Sequence, residues 1–161
     1  MSIAQPIRPR IGGRSHLHLT VVASQYNLPF VQGLIAHLEE EVQAISPGAK
    51  MKIVWVPGAF EIPVLTKIIL SQKNSDVVVA LGVLIQGETT HALLVAQSVT
   101  SALQNLAVEF AVPVINEVLL LDNEAQAKAR CLDDEINRGT EAARAAVGVV
   151  HAAREVAQKA F

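Results

Sequence analysis

Residues 77–91 read VVVALGVLIQGETTH, and this stretch decides the fold. Val77 to Leu81 is an unbroken run of strand-forming apolar residues. A strand with one wet face alternates apolar and polar residues. A continuous run marks a strand covered on both faces, as in a parallel sheet between two helical layers. Gly82 to Thr90 then reads as a loop. A helix opens near His91 and runs to about Phe110, with Val95, Val99, Leu103, Leu106 and Phe110 as its core stripe.

Working outward, strand and helix patterns alternate on both sides of that run. Leu17 to Ala23 reads as a strand that ends in the turn Ser24-Gln25-Tyr26-Asn27. Asn27 is placed to cap the next helix, with Pro29 in its first turn. That helix carries Phe30, Val31, Leu34, Ile35, Leu38, Val42 and Ile45 on one stripe and stops at Pro47-Gly48. Lys52 to Val56 is a second strand, closed by Pro57-Gly58. A helix over Ile62 to Ser71 turns Ile62, Leu65, Ile68 and Ile69 to one side. After the long helix come a strand over Val112 to Leu120, a short helix over Asn123 to Leu132 and a last helix from near Asn137. The order β-α-β-α-β-α-β-α predicts an α/β fold: a three-layer α/β/α sandwich, flavodoxin-like, with a doubly wound parallel four-stranded sheet. Residues 16–161 read as one domain, and 1–15, with Pro6, Pro9, Gly12 and Gly13, as an extended N-terminal arm.

The composition of the 161 residues agrees. They are 51% hydrophobic and 17% charged, which excludes a disordered chain, and the net charge is −2. That balance lacks the broad positive field of a nucleic-acid binder. Glu39, Glu40 and Glu41 form the longest acidic run and read as the solvated face of a helix. The single cysteine, Cys131, excludes an intrachain disulfide framework and a thiolate metal cluster. His16 and His18 alternate in the first strand, but two imidazoles make a poor metal site. The N-terminus has no signal-peptide apolar core, and the longest apolar stretch, Val77 to Ile85, falls short of the ~20 residues that span a bilayer. A cytoplasmic protein is expected, with no membrane and no nucleic-acid partner. The surplus of aliphatic residues over charges points to surface buried against further copies. The alanine-rich last helix (Ala142, Ala143, Ala145, Ala146, Ala152, Ala153, Ala157, Ala160) suits tight packing on the sheet or a subunit interface.

In doubly wound sheets ligands bind outside the carboxyl ends of the strands. The loops there are Ser24–Asn27, 57–61, 82–91 and Asn116–Asp122. In Pro57-Gly58-Ala59-Phe60-Glu61-Ile62-Pro63, the Glu61 carboxylate lies at a helix start, where negative charge is favoured. In 82–91, a glycine-flanked loop feeds a helix through two threonines, so unsatisfied N–H groups and the positive helix end make an anion site. His91 beside it can move a proton near neutral pH. Arg130, near the end of the short helix, offers a fork of donors. There is no Walker loop, no G-x-G-x-x-G after a strand and no G-x-S-x-G elbow.

The ordered set of motifs resembles the lumazine synthase family. It comprises Tyr26-Asn27 after the first strand, VPGAFEIP at 56–63, GVLIQGETTH at 82–91, VPVI at 112–115, Q-A-x-x-R at 126–130 and N-[KR]-G-x-E-A-A at 137–143. The resemblance implies condensation of 5-amino-6-(ribitylamino)uracil with 3,4-dihydroxy-2-butanone 4-phosphate to 6,7-dimethyl-8-ribityllumazine, releasing phosphate and water. It implies no metal and no redox cofactor. It implies Tyr26 stacked on the pyrimidine, backbone contacts from Ala59 and Phe60, and Glu61 on the ribityl hydroxyls. Val83, Leu84 and Ile85 would line the ring pocket. Gly87, Glu88, Thr89 and Arg130 would hold phosphate, and His91 would be the general acid/base. Arg138 stands where the family carries a lysine that approaches the site. The family's assembly is a pentamer or a multiple of pentamers, with sites shared between neighbours. Asn116 and Arg130 would then face a neighbour's Tyr26, Glu61 and His91.

Several positions depart from the family pattern. Gln86 replaces a basic residue, and Ala92, Leu93 and Leu94 follow the histidine in place of aromatic, acid and aromatic. Asn116-Glu117 replaces a phenylalanine over the ring and a glycine. Gln86, Ala92 and Asn116 leave open, as an alternative, a catalytically weak flavin- or lumazine-binding or assembly protein on the same scaffold; a riboflavin synthase of the same fold, acting on lumazine itself, is a third and weaker reading.

Overall fold

A computed structural model describes residues 6–9 and 16–158 of the chain. Its strands are β1 (His18–Ser24), β2 (Lys50–Val56), β3 (Val77–Ile85) and β4 (Val114–Leu121). The helices are α1 (Leu28–Ile45), α2 (Ile62–Ser71), α3 (His91–Phe110), α4 (Glu124–Cys131) and α5 (Arg138–Gln158), with a short 3-10 turn over Ala59–Glu61. All three strand pairings are parallel, in the order β2-β1-β3-β4. The α/β sandwich is the one the sequence predicts.

The run at 77–81 explains itself in this arrangement. Val77, Val79 and Leu81 face a core shared with α1 and α5, together with Leu19, Val21, Leu34, Leu38, Ala143 and Val147. Val78 and Ala80 face the other core, with Val22, Ile62, Val99 and Leu103 of α2 and α3. Both faces of β3 are dry, so no polar residue interrupts it.

Gly82 does not end the strand. β3 continues through Gly82, Val83 and Leu84 to Ile85, each paired with β4 from Val118 to Leu121. The expected loop over Gly82 to Thr90 therefore shrinks to 86–90. The glycine marks a close approach: a Cβ there would stand 3.2 Å from Ser24 Oγ and 3.3 Å from Val118 Cγ1.

The acidic run is also corrected. Glu39 and Glu40 are exposed, but Glu41 is only 6% exposed. Successive helical residues are ~100° apart, so three in a row cannot share one wet face. Glu41 falls on the stripe of Leu34 and Leu38, toward α5. Its Oε1 accepts from Arg144 Nε at 2.7 Å and from Arg8 Nε at 2.9 Å, and its Oε2 accepts from Arg8 Nη2 at 2.5 Å. Arg144 Nη1 also donates to the Pro6 carbonyl. Residues 6–9 of the arm are thus fastened to α1 and α5 of their own chain. Gly12 and Gly13 lie outside the described residues, as does Ala160.

Two smaller expectations shift. On α2 the buried positions are Ile62, Thr66 and Leu70, while Ile68 and Val64 are exposed. On α5, Ala142, Ala143 and Ala146 pack inward, whereas Ala152, Ala153 and Ala157 are exposed.

Candidate functional site

The strand order reverses direction between β1 and β3, and the loops leaving these two strands meet at that switch point. Asn27 follows β1 with φ 56° and ψ 39°, the left-handed region that asparagine tolerates better than most residues. It does not cap α1 with its side chain. Instead Asn27 Nδ2 donates to the Val83 carbonyl at 2.8 Å. The neighbouring Gln25 N–H donates to the Val56 carbonyl, so the β1 loop is tied to β2 and β3 together. Tyr26, between these anchors, stays 71% exposed.

The β2 loop is built around one carboxylate. Glu61 Oε2 accepts from the Gly58 N–H at 2.8 Å, closing the short turn over Ala59–Glu61. Gly58 is favoured by close contacts rather than by its dihedrals, which are extended (φ −137°). A Cβ there would come within 2.9 Å of Glu61 Oε2 and 3.4 Å of the Tyr26 ring. Tyr26 and Glu61 therefore converge on the same glycine. Ala59 is buried in the core, and Phe60 points outward at 63% exposure.

Beyond β3, the Gln86 N–H donates to the Leu121 carbonyl. The Gln86 side-chain amide folds back on the Thr89 carbonyl at 3.0 Å, so it shapes the loop that precedes α3. Gly87, Glu88 and Thr89 are exposed, and a Cβ on Gly87 would meet nothing within 4 Å. Thr90 precedes α3 without a side-chain cap. The first-turn N–H groups of α3 therefore have no side-chain cap from Thr90 at its positive end.

His91 then lines a cavity of about 480 Å³ with Phe60, Leu94, Val95 and Ser98. The aromatic from the β2 loop and the imidazole from α3 share one apolar-walled pocket. A smaller hollow is lined by Gln25, Tyr26 and Pro57. Among the expected ring-pocket residues, Leu84 and Ile85 are half-buried, while the Val83 side chain is in the core and only its carbonyl reaches the Asn27 amide.

Asn116 and Arg130, also expected at the site, do not line the His91 cavity. Asn116 pairs with Ala80, five residues short of the β3 end at Ile85, or ~16 Å along the strand. Its amide is engaged locally: Nδ2 donates to Thr100 Oγ1 at 3.0 Å and Oδ1 accepts from the Val118 N–H at 3.1 Å. Arg130 sits half-buried near the end of α4 and makes no hydrogen bond or ion pair among the described residues.

Arg138 is the first residue of α5, and the residues around it fix its backbone. The fully buried Asn137 accepts from the Gly139 N–H at 2.8 Å and donates to the Asp133 carbonyl at 3.1 Å. A Cβ on Gly139 would lie 2.2 Å from the Leu34 carbonyl oxygen, so only glycine lets α5 start against α1 here. Arg138 Nε donates to Glu117 Oε2 at 3.1 Å and Nη1 to Glu141 Oε2 at 2.5 Å. Glu117, a departure from the family pattern in the sequence, is only 6% exposed, and its pairing with Arg138 appears only in the fold. Burial pushes its carboxyl up to about 7 against the opposing pull of Arg138. Its signal was a lone charge inside the apolar run VINEVLLL of β4.

A family model, that of 6,7-dimethyl-8-ribityllumazine synthase, matches residues 16–154. The chain belongs to this lumazine synthase family. Relatives carrying the same name span nearly all of it. One from Coxiella burnetii (strain RSA 493) is 36% identical over 143 residues, covering 88% of this chain and 95% of the relative. One from Methylobacterium radiotolerans is 38% identical over 149 residues, covering 92% and 88%. One from Paraburkholderia phymatum is 35% identical over 154 residues, covering 95% and 86%. The lumazine synthase match spans all four strands and every loop of the rim.

Proposed function

We propose that this chain joins 5-amino-6-(ribitylamino)uracil to 3,4-dihydroxy-2-butanone 4-phosphate, giving 6,7-dimethyl-8-ribityllumazine, phosphate and water, as a transferase of riboflavin biosynthesis. The observation that carries the reading is the shared pocket of Phe60 and His91, beside the Tyr26–Gly58–Glu61 contact and the uncapped start of α3. The substrate amine attacks the ketone to form a Schiff base, phosphate leaves, and the ring closes. Each step moves protons beside a phosphate. His91 serves as the general acid/base. The N–H groups around Gly87, Glu88 and Thr89 take the phosphate, with Arg130 as its charged clamp. Tyr26 stacks on the pyrimidine, Ala59 and Phe60 contact it through their backbone, and Glu61 accepts from the ribityl hydroxyls while its other oxygen keeps the turn closed.

The site is completed by a second copy, so that Asn116 and Arg130 of one copy face Tyr26, Glu61 and His91 of its neighbour. Two observations support this: Asn116 stands ~16 Å from the rim in its own chain, and Leu93, Leu94 and Val108 of α3 are exposed apolar residues. The assembly is a pentamer or a multiple of pentamers, the folded unit is 16–161 with the arm 1–15, and the location is cytoplasmic. No helix of the described residues is long and apolar enough to cross a membrane. The test is to mix both substrates with protein whose mass has been measured by light scattering. Lumazine fluorescence rising well above the uncatalysed rate is expected. A 17 kDa monomer in solution contradicts the shared site, and the absence of accelerated product contradicts the reaction.

A further inference from the structure

The sheet carries a second hollow at its opposite edge. The rim gathers the loops at the carboxyl ends of the strands, whereas this cavity of about 200 Å³ lies over their amino ends. Its walls are the first residues of β1 and β2 and the turn that follows α2. Lengths explain why it opens there. β1 and β2 have seven residues each and span ~20 Å. α2, with ten residues, covers only ~15 Å of the face above them. Val22 and Val56 lie in the dry core on that face. Side chains alternate, so the same face carries Thr20 and His18 at the start of β1, and Lys52 and Lys50 at the start of β2. The register sets His18 beside Lys50 and Thr20 beside Lys52.

The polar groups around this space are donors or can serve as donors, and no Asp or Glu lines it. The adjacent Asp76 carboxylate is occupied. Its Oδ2 accepts from the His18 N–H at 2.7 Å and stands 3.6 Å from His18 Nδ1, and its Oδ1 lies 3.1 Å from Arg154 Nη2. The Lys50 and Lys52 ammonium groups and the Gln72 and Asn74 amides have no partner among the described residues. Nor are they needed to finish α2, because its Ile69 and Leu70 carbonyls already accept from the Gln72 and Lys73 N–H groups. Thr20, only 7% exposed, holds Ser75 with 2.6 Å between the hydroxyl oxygens. Two hydroxyls carry two protons and the bond between them uses one, so the pair keeps a donor to spare. Two ammonium groups, two amides and a spare hydroxyl around a space without an acid suit a compact, acceptor-rich anion.

We propose that this cavity is a second ligand site, remote from the rim, that takes a phosphate group, either free or as the monoester of a small molecule. Lys50 and Lys52 supply the charge, and the Ser75 hydroxyl, oriented by Thr20, supplies direction. The space is smaller than the ~300–1,000 Å³ of pockets for drug-sized ligands, which limits what the phosphate can carry. The site stands apart from the reaction proposed above, and a failed lumazine assay leaves it untouched. Hydrogen exchange read by mass spectrometry tests it, on the full chain titrated with inorganic phosphate or with glycerol phosphate at constant ionic strength. Wild type and Arg130→Ala are both titrated, because the second lacks the clamp proposed for phosphate at the rim. Residues 72–76 should show a saturable slowing of exchange in both. Lys50→Gln combined with Lys52→Gln should raise the half-saturating concentration at least about tenfold, the scale of one lost charge-assisted hydrogen bond. Ser75→Ala, which leaves the charge unchanged, should raise it several-fold. The single lysine variants carry the test if the double variant fails to fold by circular dichroism. Tighter binding of the ester identifies a phosphomonoester as the occupant, and tighter binding of the free ion identifies phosphate itself. The absence of saturable protection at 72–76, or its persistence in the lysine variants, overturns the proposal. A lysine effect with none from Ser75→Ala also overturns it, since that is counter-ion attraction to two solvated side chains.

Discussion

Asn27 reaches across the switch point of the sheet, its Nδ2 donating to the Val83 carbonyl at 2.8 Å. The bond ties the loop after β1 to the final residues of strand β3, and Tyr26 stands one residue away from it. The exposed aromatic is thus anchored through the backbone on either side, with its ring edge toward Gly58. Asn27 also absorbs the left-handed backbone (φ 56°) that turns the chain from β1 into α1.

Replacing Asn27 separates these two contributions. Asn27→Gly loses a hydrogen bond worth ~1 kcal/mol and keeps the backbone unstrained. Asn27→Ala loses the bond and adds the left-handed penalty of ~1–2 kcal/mol. Urea unfolding at fixed protein concentration should rank wild type above Asn27→Gly and Asn27→Gly above Asn27→Ala. Equal midpoints for the two variants would mean that the backbone at 27 relaxes at no cost.

Glu41 gives an acid-side prediction. Its hydrogen bond from Arg8, with help from Arg144, holds its carboxyl below the usual value, against the opposing effect of burial. An acid with a lowered folded pKa contributes stability that is complete above the unfolded value, near 4.5, and is lost as pH falls through the folded value. Glu41→Gln should therefore melt below wild type at pH 7, with the gap closing as the pH is lowered through and below 4.5. A gap independent of pH would assign the effect to packing instead.

How much of this was legible in the sequence follows from how local each signal is. The buried strand at 77–81 and the helix stripes are short-range periodicities, and they mark the layers. Tyr26, Phe60, Glu61 and His91 are legible because loops at strand ends fall at one edge of any parallel sheet. Gly82 misleads because a glycine inside a strand marks close packing as readily as a break. Glu41 misleads because its partner Arg144 is 103 residues away and its charge looks no different from that of its exposed neighbours. Glu117 and Arg138, 21 residues apart, are a pair only once β4 and α5 pack together.

Glu117 should titrate in the direction opposite to Glu41. Burial raises its carboxyl to about 7, with Arg138 lowering it and Glu141 adding a smaller upward push. The folded chain then binds more protons than the unfolded one between about 4.5 and 7, so stability falls as pH rises across that window. The total is on the order of 3 kcal/mol at 1.36 kcal/mol per pKa unit. Urea titrations at pH 4.5 and 7.5 should show wild type losing stability on that rise and Glu117→Gln losing markedly less. Cys131, its thiol pushed up to about 12, stays neutral throughout and does not contribute.

His91 and Arg130 should fail in different ways. The imidazole lines the Phe60 pocket but is exposed to solvent, so water can take over part of its proton transfer. His91→Ala should lower kcat by no more than roughly 10²-fold, the bottom of the usual range for general acid–base groups, with little change in either KM. Arg130 has no ionic partner among the described residues, so its charge is available to a phosphate. Arg130→Ala removes a charge-assisted hydrogen bond of ~1.5–3 kcal/mol, which is a rise of about 10- to 100-fold in KM for the butanone phosphate. KM for the uracil should not move, because that substrate carries no phosphate. Mixing the two variants then tests the shared site directly. His91→Ala and Arg130→Ala chains, dissociated and reassembled together, should regain a fraction of wild-type activity through sites that draw the intact residue from each neighbour. Activity no greater than the sum of the separate variants would place both residues in the site of a single chain.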